Sequence, residues 1–378
     1  MAIYIVIFSL FFGASVLEAS GLKKNQASWL FTALAGLLAL FVGLRYNTGS
    51  DWYAYSNFFN NGVSQGDTNG WEYGFVFVNK IFKAIFNNYY VLQFSATCFI
   101  CLSACKLFKR YSEYPILVMS IFFLLFFDGI LMAQVRQSIA LSIIALGSKY
   151  IFDRKFILFL CMIALACLFH ISAVMAIPLY FLNRNFGRIV PVVVVLIAQI
   201  FYFFPEIVFS LIRFVTPYLP ERLSTLSEIY LATIFAKKAI LSTGIYYLTT
   251  VFLVILLLLF VRPKNDKETF FMNALVIAFF IKGLSTGVFI MERFQAYYLL
   301  FGIIAYPYLL SLLQRIKGTS IVVALCLCMF FAVPNFRLLT STKISDLTGR
   351  PNNYAIVPYY NVLIHPQKAT IRKDWNEK

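Results

Sequence analysis

Long apolar runs separated by short polar breaks make up most of this chain. Because a membrane-spanning helix needs roughly 20 mostly apolar residues, the spacing predicts about 12 spans. The runs are continuous and lack the alternating polarity of barrel strands, which favours helices as the way to satisfy the backbone in lipid. The pattern therefore predicts an all-α polytopic integral membrane protein, with a membrane domain over residues 1–333 and an extracytoplasmic tail over residues 334–378.

Two longer breaks, residues 45–88 and 205–238, predict extracytoplasmic loops. In the first, residues 75–86 place apolar side chains on one helical face and Asn79, Lys80 and Lys83 on another, which is typical of a helix lying in the membrane interface. The second break predicts one or two helices on the membrane surface. The apolar run that starts at Pro115 is expected to end near Phe127, where Asp128 and Gly129 follow.

Composition agrees with this class, because 61% of the 378 residues are hydrophobic, only 13% are charged and the mean hydropathy is +0.80. The net charge of +16 comes without a long basic block, so no nucleic-acid partner is expected. Many of the cations occupy alternate breaks, which the positive-inside rule assigns to the cytoplasm. Residues 1–17 carry no basic leading region, so we interpret them as the first membrane helix rather than a cleaved signal peptide.

No motif in the sequence calls for a metal or a cofactor. Cys98, Cys101 and Cys105 have a ligand-like spacing, but they lie in an apolar run without acidic or histidine partners, and we expect them to pack as small hydrophobic residues. The chain lacks a DxD motif and a phosphate-binding P-loop. A metal-dependent nucleotide-sugar enzyme and an ATP-driven pump are therefore disfavoured.

Charged and polar residues gather at one predicted face of the membrane. Ionisable groups near membrane segments usually face a bundle interior or a wet cavity, so these residues define a candidate site. Its arginines suit a phosphate-rich ligand, because guanidinium binds phosphate oxygens with a planar fork. The residues at the predicted outer ends of the helices are Arg45, Asp51, Glu72, Arg136, Gln137, His170, Glu292 and Arg293.

Several roles stay open at this point. His170 could transfer a proton or be a structural hydrogen-bonding residue. Asp51 and Glu72 could pair with the arginines or act as a base. Tyr55 and Tyr297 could contact substrate or belong to an interfacial aromatic belt.

The residues at this face occur in an order that resembles the EpsG-like group of Wzy oligosaccharide polymerases. The similarity covers about residues 45–298. The matching pieces are Arg45-x-x-Thr48-Gly49-Ser50-Asp51 with Tyr55, Glu72-x-Gly74-Phe75, Val135-Arg136-Gln137 with Ala140, His170-x-Ser172-Ala173, and Glu292-Arg293 before a tyrosine-rich helix.

The resemblance implies a glycosyltransferase-type polymerase with a GT-C-like fold, acting in O-antigen, lipopolysaccharide or exopolysaccharide synthesis. It would join undecaprenyl-pyrophosphate-linked repeat units, transferring the growing chain to the non-reducing end of an incoming unit without a metal or cofactor. The site would face the periplasm or exterior of the bacterial inner membrane, and the partners would be membrane lipids, a chain-length regulator and a flippase. In this reading His170, Arg136 and Arg293 are catalytic, and the substrate-binding residues are Arg45, Asp51, Tyr55, Glu72, Gln137, Glu292 and Tyr297.

Three other classes remain as alternatives. A flippase or transporter of lipid-linked glycans would predict inverted repeats and charge at the membrane midplane. An O-antigen ligase would need a larger external loop than residues 205–238. A membrane acyltransferase is weaker, because it would need a catalytic histidine reachable from a cytoplasmic acyl donor.

Overall fold

Helices account for nearly all of the secondary structure in the part of the chain that the computed structural model describes. These described residues are 2–63, 66, 70–218, 224, 228, 244–285, 290–312, 318–341, 356–357 and 359–363. Contacts divide the chain into two units. The first comprises residues 1–150, 157–173 and 313–378, and the second comprises residues 151–156 and 174–312.

The first unit contains most of the helices from the amino-terminal half. They are α1 (Ala2–Ala19), α2 (Lys24–Gly43), α3 (Trp52–Asn57), α4 (Tyr73–Phe86), α5 (Tyr89–Tyr111), α6 (Pro115–Phe126), α7 (Val135–Phe152, to residue 150), α8 (Phe156–Cys167, from residue 157) and, near the C-terminus, α15 (Thr319–Thr340). A two-residue strand, β1 (Arg45–Tyr46), pairs antiparallel with β2 (Tyr360–Asn361), which brings part of the tail back to the end of α2.

Buried polar contacts fix the packing of α1, α6 and α15. The carboxylate of Glu18 accepts hydrogen bonds from the first backbone amides of α6, those of Ile116 and Leu117, at 2.9 and 2.8 Å. An acceptor is favourable there because the first amides of a helix have no partner within the helix. The side-chain amide nitrogen of Asn335, Nδ2, donates to the backbone carbonyl of Leu124 at 2.6 Å. Helix α15 thus continues through Pro334 to Thr340, past the expected boundary at residue 333, and the division into membrane domain and tail stays a prediction.

The second unit is built from α9 (Ile189–Phe203), α10 (Pro205–Val215), α11 (Gly244–Phe260), α12 (Asp266–Ser285), α13 (Met291–Gly302) and α14 (Tyr308–Leu312), after a 3-10 helix over Ile171–Phe181 that begins in the first unit. Two glycines allow close approach of its helices. A Cβ at Gly283 would lie 2.3 Å from the carbonyl oxygen of Ala198, and one at Gly302 would lie 2.7 Å from the Cα of Leu275. Either methyl group would force α12 away from a neighbouring helix.

Seven helices in the described residues are long and apolar enough to span a membrane, or eight if the bent pair α9–α10 is one span. Three shorter apolar helices, Phe156–Cys167, Ile171–Phe181 and Gly244–Phe260, accompany them. The chain is therefore a polytopic helical membrane protein, as the apolar runs predict. The count of about 12 spans stays a prediction.

One local expectation was wrong. Asp128 and Gly129 do not end the run from Pro115, because the helix widens into π-helical turns over Phe127–Ala133. The amide of Gln134 bonds to the carbonyl of Gly129, five residues back, at 2.8 Å, and this keeps the backbone paired.

Helix α4 is amphipathic, as expected, and its position in the membrane interface stays a prediction. Asn79 is fully buried, whereas Ile85 is 67% exposed. The side-chain nitrogen of Asn79 donates to the carbonyl of Phe75, one turn earlier, at 2.8 Å.

The long break after α9 begins with helix α10, and its assignment as an extracytoplasmic surface insert stays a prediction. Helix α10 turns 85° away from α9 at Pro205, and its first turn contains Glu206. Most of the remainder of residues 205–238 lies outside the described residues, as do residues 342–355 and 364–378 of the tail.

Candidate functional site

Glu72 lies between two other predicted site residues. Its Oε2 is 2.5 Å from Nη1 of Arg136, and its Oε1 is 3.1 Å from Nδ1 of His170. The three side chains are 18%, 22% and 10% exposed, so they are sheltered but reachable. Sequence analysis placed all three at one face, and the structure joins them into one hydrogen-bonded cluster within the first unit.

The cluster forms because three helix ends meet. Glu72 immediately precedes α4, Arg136 lies in the first turn of α7, and His170 follows the end of α8. Gly74 fixes the approach of α4 to α8, since its amide donates to the carbonyl of Leu168 at 2.8 Å. A Cβ at Gly74 would lie only 2.8 Å from that oxygen, so glycine is required for this close contact.

A stack of aromatic rings packs against the guanidinium of Arg136. Its guanidinium carbon lies 4.6 Å from the ring centroid of Trp71, and the Trp71 ring stacks on Phe58 at 4.3 Å and on Phe75 at 5.5 Å. Tyr55 packs at the edge of the same stack, 5.6 Å from Trp71. Cations are attracted to the face of an aromatic ring, so the stack orients the guanidinium as well as shielding it.

The tautomer of His170 follows from its partner. A carboxylate accepts only, so Nδ1 must carry the proton that it shares with Glu72. Nε2 is then the basic nitrogen, and it has no hydrogen-bond partner among the residues that the structure describes. A histidine oriented by a carboxylate with its other nitrogen open is arranged to accept a proton from a bound hydroxyl.

Electrostatics keep Glu72 charged. Burial acts to raise the pKa of its carboxyl, but the hydrogen bond from His170 and the charge of Arg136 outweigh burial and lower this pKa from 4.5 to about 2.

The lowered pKa predicts a pH dependence of stability. A carboxyl whose folded-state pKa is depressed stabilises the fold fully above its unfolded pKa, near 4.5, and loses that contribution as the pH falls through about 2. We expect the difference in free energy of unfolding between wild type and Glu72→Gln to shrink as the pH falls from 4.5 to 2. Thermal unfolding of both proteins in detergent at several pH values measures this difference. A difference that does not change with pH would contradict the lowered pKa of Glu72.

Arg45 has a different place from the one expected. Its side chain was predicted to bind substrate, and a pair with Asp51 was one of the open alternatives, but the residue is 1% exposed. Its Nη1 donates to the carbonyl of Val42 at 2.7 Å and its Nε to that of Thr48 at 3.2 Å. The cation thus satisfies the carboxyl-terminal end of α2, where carbonyls lack helical partners, and closes the following turn.

We therefore expect Arg45→Met to act on stability first. A buried guanidinium that holds two carbonyls leaves them unsatisfied when it is removed, at a cost of about 1–3 kcal/mol each. The variant should lower the thermal unfolding temperature while the KM for a lipid-linked substrate in the folded fraction stays near the wild-type value. A raised KM without loss of stability would instead return Arg45 to the substrate-binding residues.

The other predicted site residues of the first unit differ in how deeply they are buried. Asp51 is half-buried and accepts a hydrogen bond from Ser50 Oγ at 3.0 Å, whereas the donors of Arg45 are used by backbone carbonyls, so these two residues form no ion pair. Tyr55 and Gln137 are buried, at 4% and 1% exposure. In Tyr55, burial raises the pKa of the phenol, which keeps it neutral beside Arg136.

The predicted site residues of the second unit all lie in α13. Glu292 pairs with Lys282 of α12 at 2.5 Å, while Arg293 is half-buried. Tyr297, expected to contact substrate, has no exposed surface and packs inside the unit.

Two residues that contact predicted site residues were not themselves predicted from the sequence. Lys282 is a lone cation near the end of an otherwise apolar run, and such a residue is a functional candidate by default, so a signal was present. Trp71 was available from its position in the sequence, because it directly precedes Glu72 and stands four residues before Phe75.

The chain belongs to the EpsG family, whose model matches residues 28–361. This match spans nearly the whole membrane part and includes every predicted site residue. No curated protein and no solved structure matches the chain. Family and fold together identify a multi-pass membrane protein of the polysaccharide-polymerase type.

Proposed function

We propose that the protein joins undecaprenyl-pyrophosphate-linked oligosaccharide repeat units at the periplasmic or exterior face of the bacterial inner membrane. The growing chain passes from its lipid carrier to the non-reducing end of an incoming unit. The observation that carries the proposal is the cluster of Glu72, His170 and Arg136, in which an oriented base and a cation share one carboxylate at the ends of three helices. Membership of the EpsG family supports the same activity.

The base does the first half of the chemistry. Nε2 of His170 accepts the proton of the acceptor hydroxyl as its oxygen attacks the anomeric carbon of the donor. Glu72 holds the other ring nitrogen and stabilises the imidazolium that forms, as the acid of a catalytic triad does. Arg136 balances the carboxylate, so that the positive charge on the ring and the negative charge on Glu72 are held in fixed positions.

Departure of the lipid pyrophosphate is the second half. The bond from the anomeric carbon to the phosphate oxygen breaks, and both of its electrons leave with the pyrophosphate. Arg136 is placed to stabilise this charge, because its guanidinium lies beside the Glu72–His170 pair and its side chain is 22% exposed. We propose that Arg293 also acts as a catalytic cation, and that arginines take the part a divalent ion plays in other glycosyltransferases.

A reconstituted assay tests the function. Purified protein in liposomes receives lipid-linked repeat units without nucleotide and with a chelator, and the products are separated by length. A ladder of lengthened glycans supports the polymerase. Movement of intact lipid-linked units across the bilayer without lengthening would overturn it in favour of a flippase, and transfer to a different acceptor in a single step would favour a ligase.

A further inference from the structure

A basic cavity lies at the opposite end of the first unit from Glu72 and His170. It has a volume of about 430 Å³ and is enclosed by α5, α7 and α8. From α5 it is lined by Ser103, Lys106, Leu107 and Arg110, which share one helical face at spacings of three and four residues. From α7 it is lined by Ser148 and Lys149.

The three cations of this cavity have no acidic partners. Lys106, Arg110 and Lys149 form no ion pair and no side-chain hydrogen bond with any residue that the structure describes. Each is exposed, and the nearest aromatic contacts are the rings beneath Arg110 and Lys149, at 5.4 and 4.6 Å. Like charges that converge without a counter-ion repel one another, so an anion in the cavity would relieve that repulsion.

Ser148 adds a second, independent indication of a ligand. The residue is 4% exposed and lines the cavity, yet its hydroxyl makes no hydrogen bond with the described residues. Serines elsewhere in α7 behave differently, since Ser138 and Ser142 both donate to carbonyls of their own helix at 2.8 and 2.7 Å. A sheltered, unpartnered hydroxyl beside three cations is a donor set for phosphate oxygens.

The position of the cavity indicates which kind of molecule would carry a phosphate group into it. Along α7, Arg136 and Lys149 are 13 residues apart, which is about 20 Å of helix at 1.5 Å per residue. The cavity is therefore well separated from the candidate catalytic cluster. It lies at the end of α5, and α5 is apolar enough to span the membrane. The end of a spanning helix lies at the depth of the lipid head groups. Basic pockets between membrane helices at that depth bind anionic head groups.

We propose that this cavity binds the phosphate-bearing head group of an anionic membrane lipid. Lys106, Arg110 and Lys149 supply the charge, and Ser148 donates to a phosphate oxygen. Orientation rules alone require cations at this membrane face, but they do not require three of them to converge with a buried hydroxyl around one cavity. The proposal stands whether or not the protein is a polymerase.

Native mass spectrometry of the full-length protein in detergent tests this proposal with phosphatidylglycerol, phosphatidylcholine and inorganic phosphate as probes. We expect wild type to retain phosphatidylglycerol in preference to phosphatidylcholine. The variant with Lys106→Gln, Arg110→Gln and Lys149→Gln should bind it about 100-fold more weakly, because each cation near an anionic head group contributes roughly five-fold. Ser148→Ala should weaken it by less.

The matched control neutralises three cations that do not line the cavity. Lys109 is on the same helix but donates to Thr32 at 3.0 Å, and it is changed to glutamine together with Lys24 and Lys155. This control variant should keep its preference for phosphatidylglycerol. Equal loss in both triple variants would overturn the site in favour of a general surface-charge effect. Equal binding of inorganic phosphate and of lipid would overturn the lipid as the ligand.

Discussion

Replacing His170 by alanine is expected to slow glycan lengthening by about 10²–10⁴-fold, the usual range for loss of a general base. The variant keeps Arg136 and Glu72 as a pair, since their contact at 2.5 Å does not pass through the ring. The fold and the binding of lipid-linked substrate should therefore change little. Single-turnover lengthening in liposomes measures the effect, with thermal unfolding recorded in parallel.

The chain supplies its own control for this variant. It contains only two histidines, and His365→Ala removes the other one, which lies in the tail outside the described residues. Lengthening by His365→Ala should stay near the wild-type rate. If His170→Ala also lengthened glycan at the wild-type rate, His170 would be a structural residue and the proposed proton transfer would be wrong.

Replacing Arg136 by lysine should reduce lengthening by about 10²–10³-fold, as expected for loss of one preorganised donor to a developing anion. Lysine keeps a positive charge beside Glu72, so stability should change less than in Arg136→Ala, which leaves a sheltered carboxylate unpaired. Lysine lacks the planar fork that binds two phosphate oxygens at once and that stacks on Trp71. The predicted signature is therefore low kcat in a well-folded protein.

Arg188→Lys is the matched control, because Arg188 lies in the second unit between the 3-10 helix and α9. It should leave the rate unchanged. Full activity of Arg136→Lys would show that only charge is needed at this position. Activity that recovers in the double variant Glu72→Gln with Arg136→Ala would show that the arginine acts only to compensate the carboxylate.

Much of the fold could be predicted because lipid imposes simple rules. Apolar runs of spanning length formed helices, as expected for segments that must satisfy their backbone within lipid. The π-helical turns after α6 could not be predicted, because they depend on a backbone bond between Gln134 and Gly129 that leaves no pattern in residue type.

The site was predicted in part for a similar reason. Residue type and topology brought Glu72, Arg136 and His170 to one face, and their contacts confirm that grouping. Arg45 looked equivalent in sequence, but only the fold reveals that its donors are used by two backbone carbonyls. A charged residue near a membrane face can thus serve the chain or a ligand, and hydrogen-bond partners decide which.

The most direct test of the account locates the acceptor sugar itself. A lipid-linked repeat unit with a photoreactive group on its non-reducing terminal sugar is bound to the wild-type protein in liposomes, and the labelled peptides are identified after irradiation. We predict labelling within residues 70–75 and 166–173, the two segments that hold Glu72 and His170 together. Labelling confined to the opposite end of the unit, around residues 103–111, would contradict the account.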